Sequence, residues 1–188
     1  MQPQTDTGDD ATTRDRTGIA VPVLVIVLAG VLAVGFVVAT AAPAAGAPTQ
    51  INSCTTITQP GEYVLTADIT NANADPCINI RASDVVFDGQ GHTVGGTGSG
   101  VGIGNDRGPL SNVSVTDVIV RDWQSGVEYF STTDSAVTGV TATENTNGVL
   151  VSTSSHRITL ANNNATGNNG NGIRVASSNN MLINNTNN

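Results

Sequence analysis

Apolar residues in the second half of the chain come in pairs two positions apart, separated by polar and glycine-rich stretches. The clearest phrase, glycine–apolar–any–apolar, begins at Gly126 and recurs at Gly148 and Gly172 with nearly even spacing. Gly100 begins the same phrase one repeat earlier, and Pro76 precedes a related one, Cys77-Ile78-Asn79-Ile80. Such self-similarity over two dozen positions is typical of solenoid proteins.

Each repeat contains further short apolar pairs. Val85/Phe87 and Val113/Val115 form a second pair, and Val118/Val120 form a third. Period-2 alternation in short runs rich in Val, Ile and Thr indicates strands, and the Ser, Asn, Asp and Gly between them indicate turns. Three strands per repeat predict an all-β fold, a right-handed single-stranded parallel β-helix of about five coils stacked about 4.8 Å apart.

Asparagine recurs at the repeat length. Asn145 lies one repeat before Asn168, and residues 162–164 lie about one repeat before Asn184 and Asn185. Stacked Asn side chains form hydrogen-bonded ladders. Asn also occupies turns because it tolerates positive φ. The spacing is compatible with either interpretation.

The N-terminal segment predicts export. Arg14 and Arg16 precede an apolar run over residues 19–42, and Ala45-Gly46-Ala47 resembles a cleavage site. Residues 1–47 are therefore expected to be a signal peptide cleaved after Ala47, or a helical anchor in the cytoplasmic membrane, since the run is long enough to span a bilayer. We assign residues 48–76 to a linker and N-terminal capping coil, and 77–188 to β-helix repeats.

Cys54 and Cys77 are separated in the chain by one coil length. In a β-helix they would lie one above the other, at a separation that a disulfide can bridge. An oxidising exported environment favours that bridge, and two buried free thiols are the alternative.

Composition narrows the functional classes. The chain has 15 acidic residues, seven arginines and no lysine, with a pI of about 4.3. This balance suggests adaptation to high salt, where screening makes a large negative charge tolerable. It argues against nucleic-acid binding, which needs basic clusters.

Two surface features follow from the predicted repeats. The sequons at Asn112, Asn164 and Asn184 are candidate glycosylation sites in an exported protein. The sequence also ends soon after a predicted strand, without a polar cap. We therefore expect either truncation of a longer solenoid or self-association through an open C-terminal edge.

The stretch PGEYVLTADIT…CINIRASDVVFDGQGHTV, followed by glycine-initiated coils with Asn-rich turns, resembles the right-handed parallel β-helix repeat proteins. This group includes the NosD-type periplasmic family and secreted proteins of salt-loving archaea. The resemblance covers residues 51–188 and implies the pectate-lyase-like superfold, which hosts lyases, hydrolases, epimerases and binding proteins.

Asp84, Asp88 and His92 form the densest titratable cluster and are the candidate catalytic residues, because glycosidic cleavage uses paired carboxylates. The alternative is a strand-ending turn, since Asp and Gly are typical turn residues. The residue set of polygalacturonase-like enzymes is not present, so the sequence offers no convincing catalytic set.

No metal site or cofactor is expected. NosD-type proteins are associated with copper-site maturation, which would imply soft ligands. His92, His156, Met181 and the two cysteines do not form a spaced ligand set.

The best binding candidate is a group formed by Arg121, Asp122, Trp123, Glu128 and Phe130, with Arg121, Trp123 and Glu128 as the expected ligand-binding residues. Exposed aromatic rings beside polar groups often mark contact sites. The alternative is that Trp123 covers a coil corner.

These observations predict a secreted or membrane-anchored β-helix module that is structural or binds polysaccharide or cell-surface glycan. One alternative is a fragment of a polysaccharide lyase or hydrolase. The other is a NosD-like accessory protein for a copper enzyme.

Overall fold

The computed structural model describes residues 46–188, which lie within one compact unit. The predicted signal peptide or anchor lies almost entirely outside the described residues, so its helix and its cleavage stay predictions. Within the part that is described, no helix is long and apolar enough to cross a membrane.

The described chain consists of short β-strands joined by turns. In chain order these are β1 (Thr49–Ile51), β2 (Thr55–Ile57), β3 (Gly61–Leu65), β4 (Ile78–Ile80), β5 (Val85–Asp88), β6 (Thr93–Gly95), β7 (Val101–Gly104), β8 (Leu110–Ser111), β9 (Val113–Thr116), β10 (Ile119–Arg121), β11 (Ser125–Tyr129), β12 (Thr132–Thr138), β13 (Thr141–Thr143), β14 (Asn147–Val151), β15 (His156–Ala161), β16 (Asn164–Ala165), β17 (Ile173–Val175), β18 (Met181–Ile183) and β19 (Thr186–Asn187).

Three parallel sheets run the length of the molecule. Sheet A has the order β1-β3-β5-β9-β12-β15-β18, with β8 beside β12. Sheet B has the order β2-β4-β7-β11-β14-β17, and sheet C has the order β6-β10-β13-β16-β19. From β4 onward the chain visits B, A and C in turn. This is a parallel β-solenoid, which confirms the predicted all-β architecture and is consistent with the right-handed parallel β-helix proteins.

The solenoid has about six turns, one more than predicted, because sheet B contains six strands. The extra turn comes from the N-terminal segment. Thr49–Ile51, which was expected to be linker, is strand β1 and pairs in parallel with β3. Strand β2 pairs in the same way with β4. The first coil is therefore built with the same pairing as the rest.

The interior is filled by columns of aliphatic residues that lie in register from coil to coil. In sheet B the predicted column is confirmed, since Val127 pairs with Val149 and Val149 with Ile173. The prediction was wrong at Val101. The structure pairs Val101 with Ser125 and Ile103 with Val127, so the repeat begins at Gly102 instead of Gly100.

Glycines 102, 126 and 148 stack where sheet C turns into sheet B, because a side chain there would enter occupied space. A Cβ on Gly126 would lie 2.7 Å from the carbonyl oxygen of Gly148 and 2.9 Å from Val120 Cγ2. A Cβ on Gly148 would lie 2.5 Å from the carbonyl oxygen of Gly172. The recurring glycine of the sequence pattern therefore allows neighbouring coils to approach closely.

Each coil turns its corners with residues in the left-handed region of φ. Three corner columns have φ between 46° and 72°: Asp84, Asn112, Asp134, Arg157 and Asn179; Asp117, Gly139, Asn162 and Asn184; and Asp122, Glu144 and Gly167. Most members are Asn, Asp or Gly, the residues that adopt this conformation at least cost. The positive φ that the corners require therefore explains the Asn-rich turns of the sequence.

Other asparagines form true ladders inside the solenoid. The buried Asn145 donates from Nδ2 to Asn168 Oδ1 (3.2 Å) and to the carbonyl of Val120 (3.0 Å). Asn163 bonds to Asn185 in the same way, at 2.9 Å. Both interpretations of the Asn repeats are therefore correct, each for different residues.

The disulfide between Cys54 and Cys77 is present, with Cα atoms 4.5 Å apart, and confirms that prediction. Cys77 is buried and its partner is partly exposed. The bridge ties the first coil to the second.

We predict that Gly126→Ala lowers the free energy of unfolding by about 1–3 kcal/mol, the usual cost of overpacking. Urea unfolding monitored by circular dichroism measures the change. Gly46→Ala is the matched control, because no atom lies within 4 Å of its added Cβ. Equal stability of the two variants would contradict the close-approach explanation.

We also predict that Asn145→Ala costs about 1–3 kcal/mol, since it leaves a buried donor and acceptor without partners. The donor is the Trp123 N–H, which lies 3.0 Å from Asn145 Oδ1. Thermal unfolding of this variant should be compared with that of Asn169→Ala, whose side chain is exposed. If the ladder does not stabilise the fold, the two variants will have the same melting temperature.

Candidate functional site

The three candidate catalytic residues have separate local roles. Asp84 occupies a corner and accepts a hydrogen bond from Asn112 Nδ2 at 2.8 Å. Asp88 ends β5 and accepts from the backbone N–H of Gln90 at 2.9 Å. Asp84 and Asp88 thus lie at the two ends of strand β5, and each carboxylate bonds to a different group. Both aspartates therefore have the turn role that the alternative interpretation gave them.

Trp123 is 1% exposed, so the surface position expected for it is wrong. Its indole Nε1–H donates to the carbonyl of Val94 at 3.0 Å. The ring fits because Gly96 and Gly102 have no side chains, and a Cβ on either would lie within 3 Å of it. Trp123 is thus the residue that fills the corner between sheets C and B.

Arg121 and Glu128, the other two expected ligand-binding residues, face different sides of the molecule. Arg121 ends β10 in sheet C, and Glu128 lies on β11 in sheet B. The structure therefore does not bring the three expected residues into one site. It forms two separate polar surfaces instead.

The first surface, the sheet C cluster, contains Asp68, His92, Arg121, Asp122 and Glu144. His92 Nδ1 lies 3.0 Å from Asp68 Oδ1, and Arg121 Nη1 lies 2.8 Å from Asp122 Oδ2 and 3.8 Å from Glu144 Oε2. The backbone N–H of the strand residue after His92 also donates to Asp68. That bond, followed by the His92 imidazole, lowers the pKa of Asp68.

The second surface is the outer side of sheet B, the sheet B face. Arg81, Asp106, Glu128 and Phe130 define it. Phe130 is 47% exposed, and Glu128 is on the same side two residues earlier. Glu128 pairs across the strands with Gly104, where an added Cβ would lie 2.7 Å from the carbonyl oxygen of Glu128.

Arg81 and Asp106 form a two-point ion pair at the edge of the sheet B face. The guanidinium donates from Nε to Asp106 Oδ1 at 2.8 Å, and from Nη2 to Oδ2. Chiefly because of this pair, the pKa of Asp106 is lowered to about 2. Asp106 is therefore an ionised carboxylate in neutral solution and cannot donate a proton there.

The loop after β7 positions Phe130. Asn105 is buried, accepts from the Phe130 N–H at 2.9 Å and donates to the Phe130 carbonyl at 2.6 Å. It also donates to the carbonyl of Arg107 at 3.1 Å. The exposed ring thus extends from a backbone that is held on both sides.

Sequence reasoning missed the two pairs that organise these surfaces. Asp68 and His92 are one coil apart in the chain, and so are Arg81 and Asp106. A search for complementary charges at the repeat length would therefore have found both pairs.

The three sequon asparagines are exposed. Asn164 Oδ1 accepts from the Thr166 hydroxyl at 3.0 Å, whereas the amide of Asn112 donates to Asp84. Glycosylation at Asn112, Asn164 or Asn184 stays a prediction.

Comparison with known proteins gives one family. The family model described as NosD, periplasmic copper-binding protein, matches residues 51–188. No curated protein and no solved structure matches the chain significantly.

Because the family description names copper, we ask which residues of this chain could bind a copper ion. The whole chain has two His, two Cys and two Met, and both Cys sulfurs are in the disulfide. In the described residues no group of three His, Cys, Asp or Glu could hold a metal ion. A closed, soft-donor copper site therefore does not fit residues 46–188. A single oriented imidazole, that of His92, is what the sheet C cluster offers.

The lowered pKa of Asp106 predicts how the stability of the fold depends on pH. Its folded pKa of about 2 lies below an unfolded value of about 3.9. The ion pair therefore stabilises the fold fully above about pH 5, and this stabilisation is lost as the pH falls towards 2.

Asp106→Asn should accordingly lower the melting temperature at pH 7, and the deficit should shrink as the pH is lowered from 5 to 2. Repeating the pair of measurements in an Arg81→Gln background isolates the interaction. The prediction fails if the deficit is the same at every pH.

Proposed function

The chain belongs to the NosD family, described as periplasmic copper-binding proteins, and on this premise we propose that it is an exported, non-catalytic binding module. Its ligand is a polysaccharide or cell-surface glycan, and the sheet B face is the binding surface. The periplasmic description of the family is consistent with export.

One observation carries the proposal: an exposed aromatic ring and a carboxylate share the outer side of a rigid sheet. Phe130 is 47% exposed, and Glu128 extends beside it. Aromatic rings give a sugar ring a large apolar contact, and planar charged groups orient its hydroxyls. Strands stacked about 4.8 Å apart make the surface long and narrow, which suits a chain-like ligand.

The charge of the face supports binding over cleavage. A glycosidase needs one carboxyl group that holds a proton at neutral pH. Asp106, which belongs to the same face, has its pKa lowered to about 2 by Arg81. The carboxylates of the other candidate cluster, Asp84 and Asp88, are tied to turn groups.

The alternative, a polysaccharide lyase or hydrolase, therefore has no pair of groups on this face that supports it. A second candidate function is an accessory role for a copper enzyme. The specific observation in its favour is the family match over residues 51–188.

The test is a screen of the full chain against an array of neutral and acidic polysaccharides, followed by calorimetry with the polysaccharide that binds best. We expect Phe130→Ala to weaken binding at least 10-fold and Glu128→Gln to weaken it several-fold. Glu144→Gln is the matched control, because it neutralises the same residue type on sheet C. Its affinity should stay within 2-fold of the native value.

Two outcomes would overturn the proposal. One is binding that Phe130→Ala leaves unchanged. The other is release of new reducing ends or unsaturated products from the same polysaccharides, which would favour the enzyme alternative.

A further inference from the structure

Residues 173–188 present open strand edges, and we call them the C-terminal end of the solenoid. Strands β17, β18 and β19 each pair with one strand of the preceding coil. Within residues 46–188 their other edges have no strand partner. An open edge carries unpaired N–H and C=O groups, which can pair with a strand of another molecule.

The C-terminal end also exposes apolar side chains. All three residues of β18 are 42–57% exposed. Leu182 pairs with the fully buried Leu160, so it continues a column of the core. A groove of about 370 Å³ lies beside it, and Ile173 and Val175 contribute to its lining. An exposed apolar patch of this kind often marks a contact with another protein.

Charged residues and proline, which usually protect a strand edge from pairing, do not occur at this end. Residues 175–188 have neither a charged side chain nor a proline. The chain as a whole has a formal net charge of −8, so two copies repel each other over most of their surface. The C-terminal end is therefore a surface at which two copies can meet without opposing like-charged side chains.

The N-terminal end of the solenoid has different properties. Pro48 directly precedes β1, the edge strand of sheet A. The apolar residues of the first two strands, Ile51 in β1 and Ile57 in β2, are both buried. An exposed apolar C-terminal end therefore finds a better match in a second C-terminal end than in an N-terminal end.

We propose that two copies of this chain associate through their C-terminal ends, with β18 of one copy antiparallel to β18 of the other. A dimer with a two-fold axis, the commonest oligomer, needs one self-complementary surface on each copy. A two-fold axis through the middle of β18 reverses the strand direction and places Leu182 opposite Leu182 of the second copy. Directly opposed residues of antiparallel strands have Cα atoms about 4.5–5.5 Å apart. Each Leu182 then covers the core column of the other copy.

The test uses the full chain in a mild nonionic detergent, which also keeps the apolar residues 19–42 in solution. Sedimentation velocity over a range of protein concentrations measures the association, and we expect a dimer. Leu182→Glu should raise the dissociation constant about 100-fold, because it opposes two like charges at the centre of the contact. Val86→Glu is the matched control, since Val86 is also an exposed apolar residue of sheet A but lies on β5. Its dissociation constant should match that of the native chain.

Leu182→Cys tests the geometry separately. Two opposed cysteines at this Cα separation can form a disulfide, so mild oxidation should link two copies into a covalent dimer on a non-reducing gel. Val86→Cys should stay unlinked under the same conditions. The native Cys54–Cys77 disulfide is closed and does not take part. Thermal unfolding of each variant shows whether it is folded.

Four results would overturn the proposal. A native chain that is monomeric at every concentration would assign the open edges to a different partner, and assemblies longer than a dimer would indicate head-to-tail stacking. The other two are a folded Leu182→Glu variant that associates like the native chain, and equal linking of the two cysteine variants. Phe130→Ala should leave the association unchanged, so this result is independent of the proposed glycan surface.

Discussion

Backbone pairing between successive coils is the interaction on which the rest of this molecule depends. Apart from β8, the strands of the interior coils bond to equivalent strands before and after them, so one coil fixes the position of the next. That pairing requires a corner at the same place in each coil. Asn, Asp and Gly in the left-handed region make those corners, and stacked glycines such as Gly126 allow the coils to approach.

The same pairing determines how surface groups meet. Side chains one coil apart become neighbours, although two dozen positions separate them in the chain. Arg81 with Asp106, and Asp68 with His92, are both pairs of this kind. A solenoid therefore builds its sites from the repeat length, and the two polar surfaces lie on different sheets because each pair stays within its own sheet.

This separation bears on function in the NosD family. The chain has few sulfur and imidazole groups that could bind copper. Its two cysteines form the disulfide that joins the first coil to the second. The sheet C cluster and the sheet B face share no residue, so a substitution on one leaves the groups of the other in place. The family description names copper, and the sheet B face exposes the ring of Phe130.

The sequence by itself determined the repeat, the short strands, the aliphatic columns and the disulfide, because parallel pairing turns a regular spacing directly into vertical stacking. Only the tertiary structure decided the register at Val101, the burial of Trp123 and the partner of His92. The physical reason is the corners: repeats of unequal length shift the register, and a left-handed residue such as Asp122 interrupts the in–out alternation. The alternation of inward and outward residues therefore predicts burial within a strand and fails across a turn. After a turn, the neighbouring coils determine which residues of the next strand face the interior.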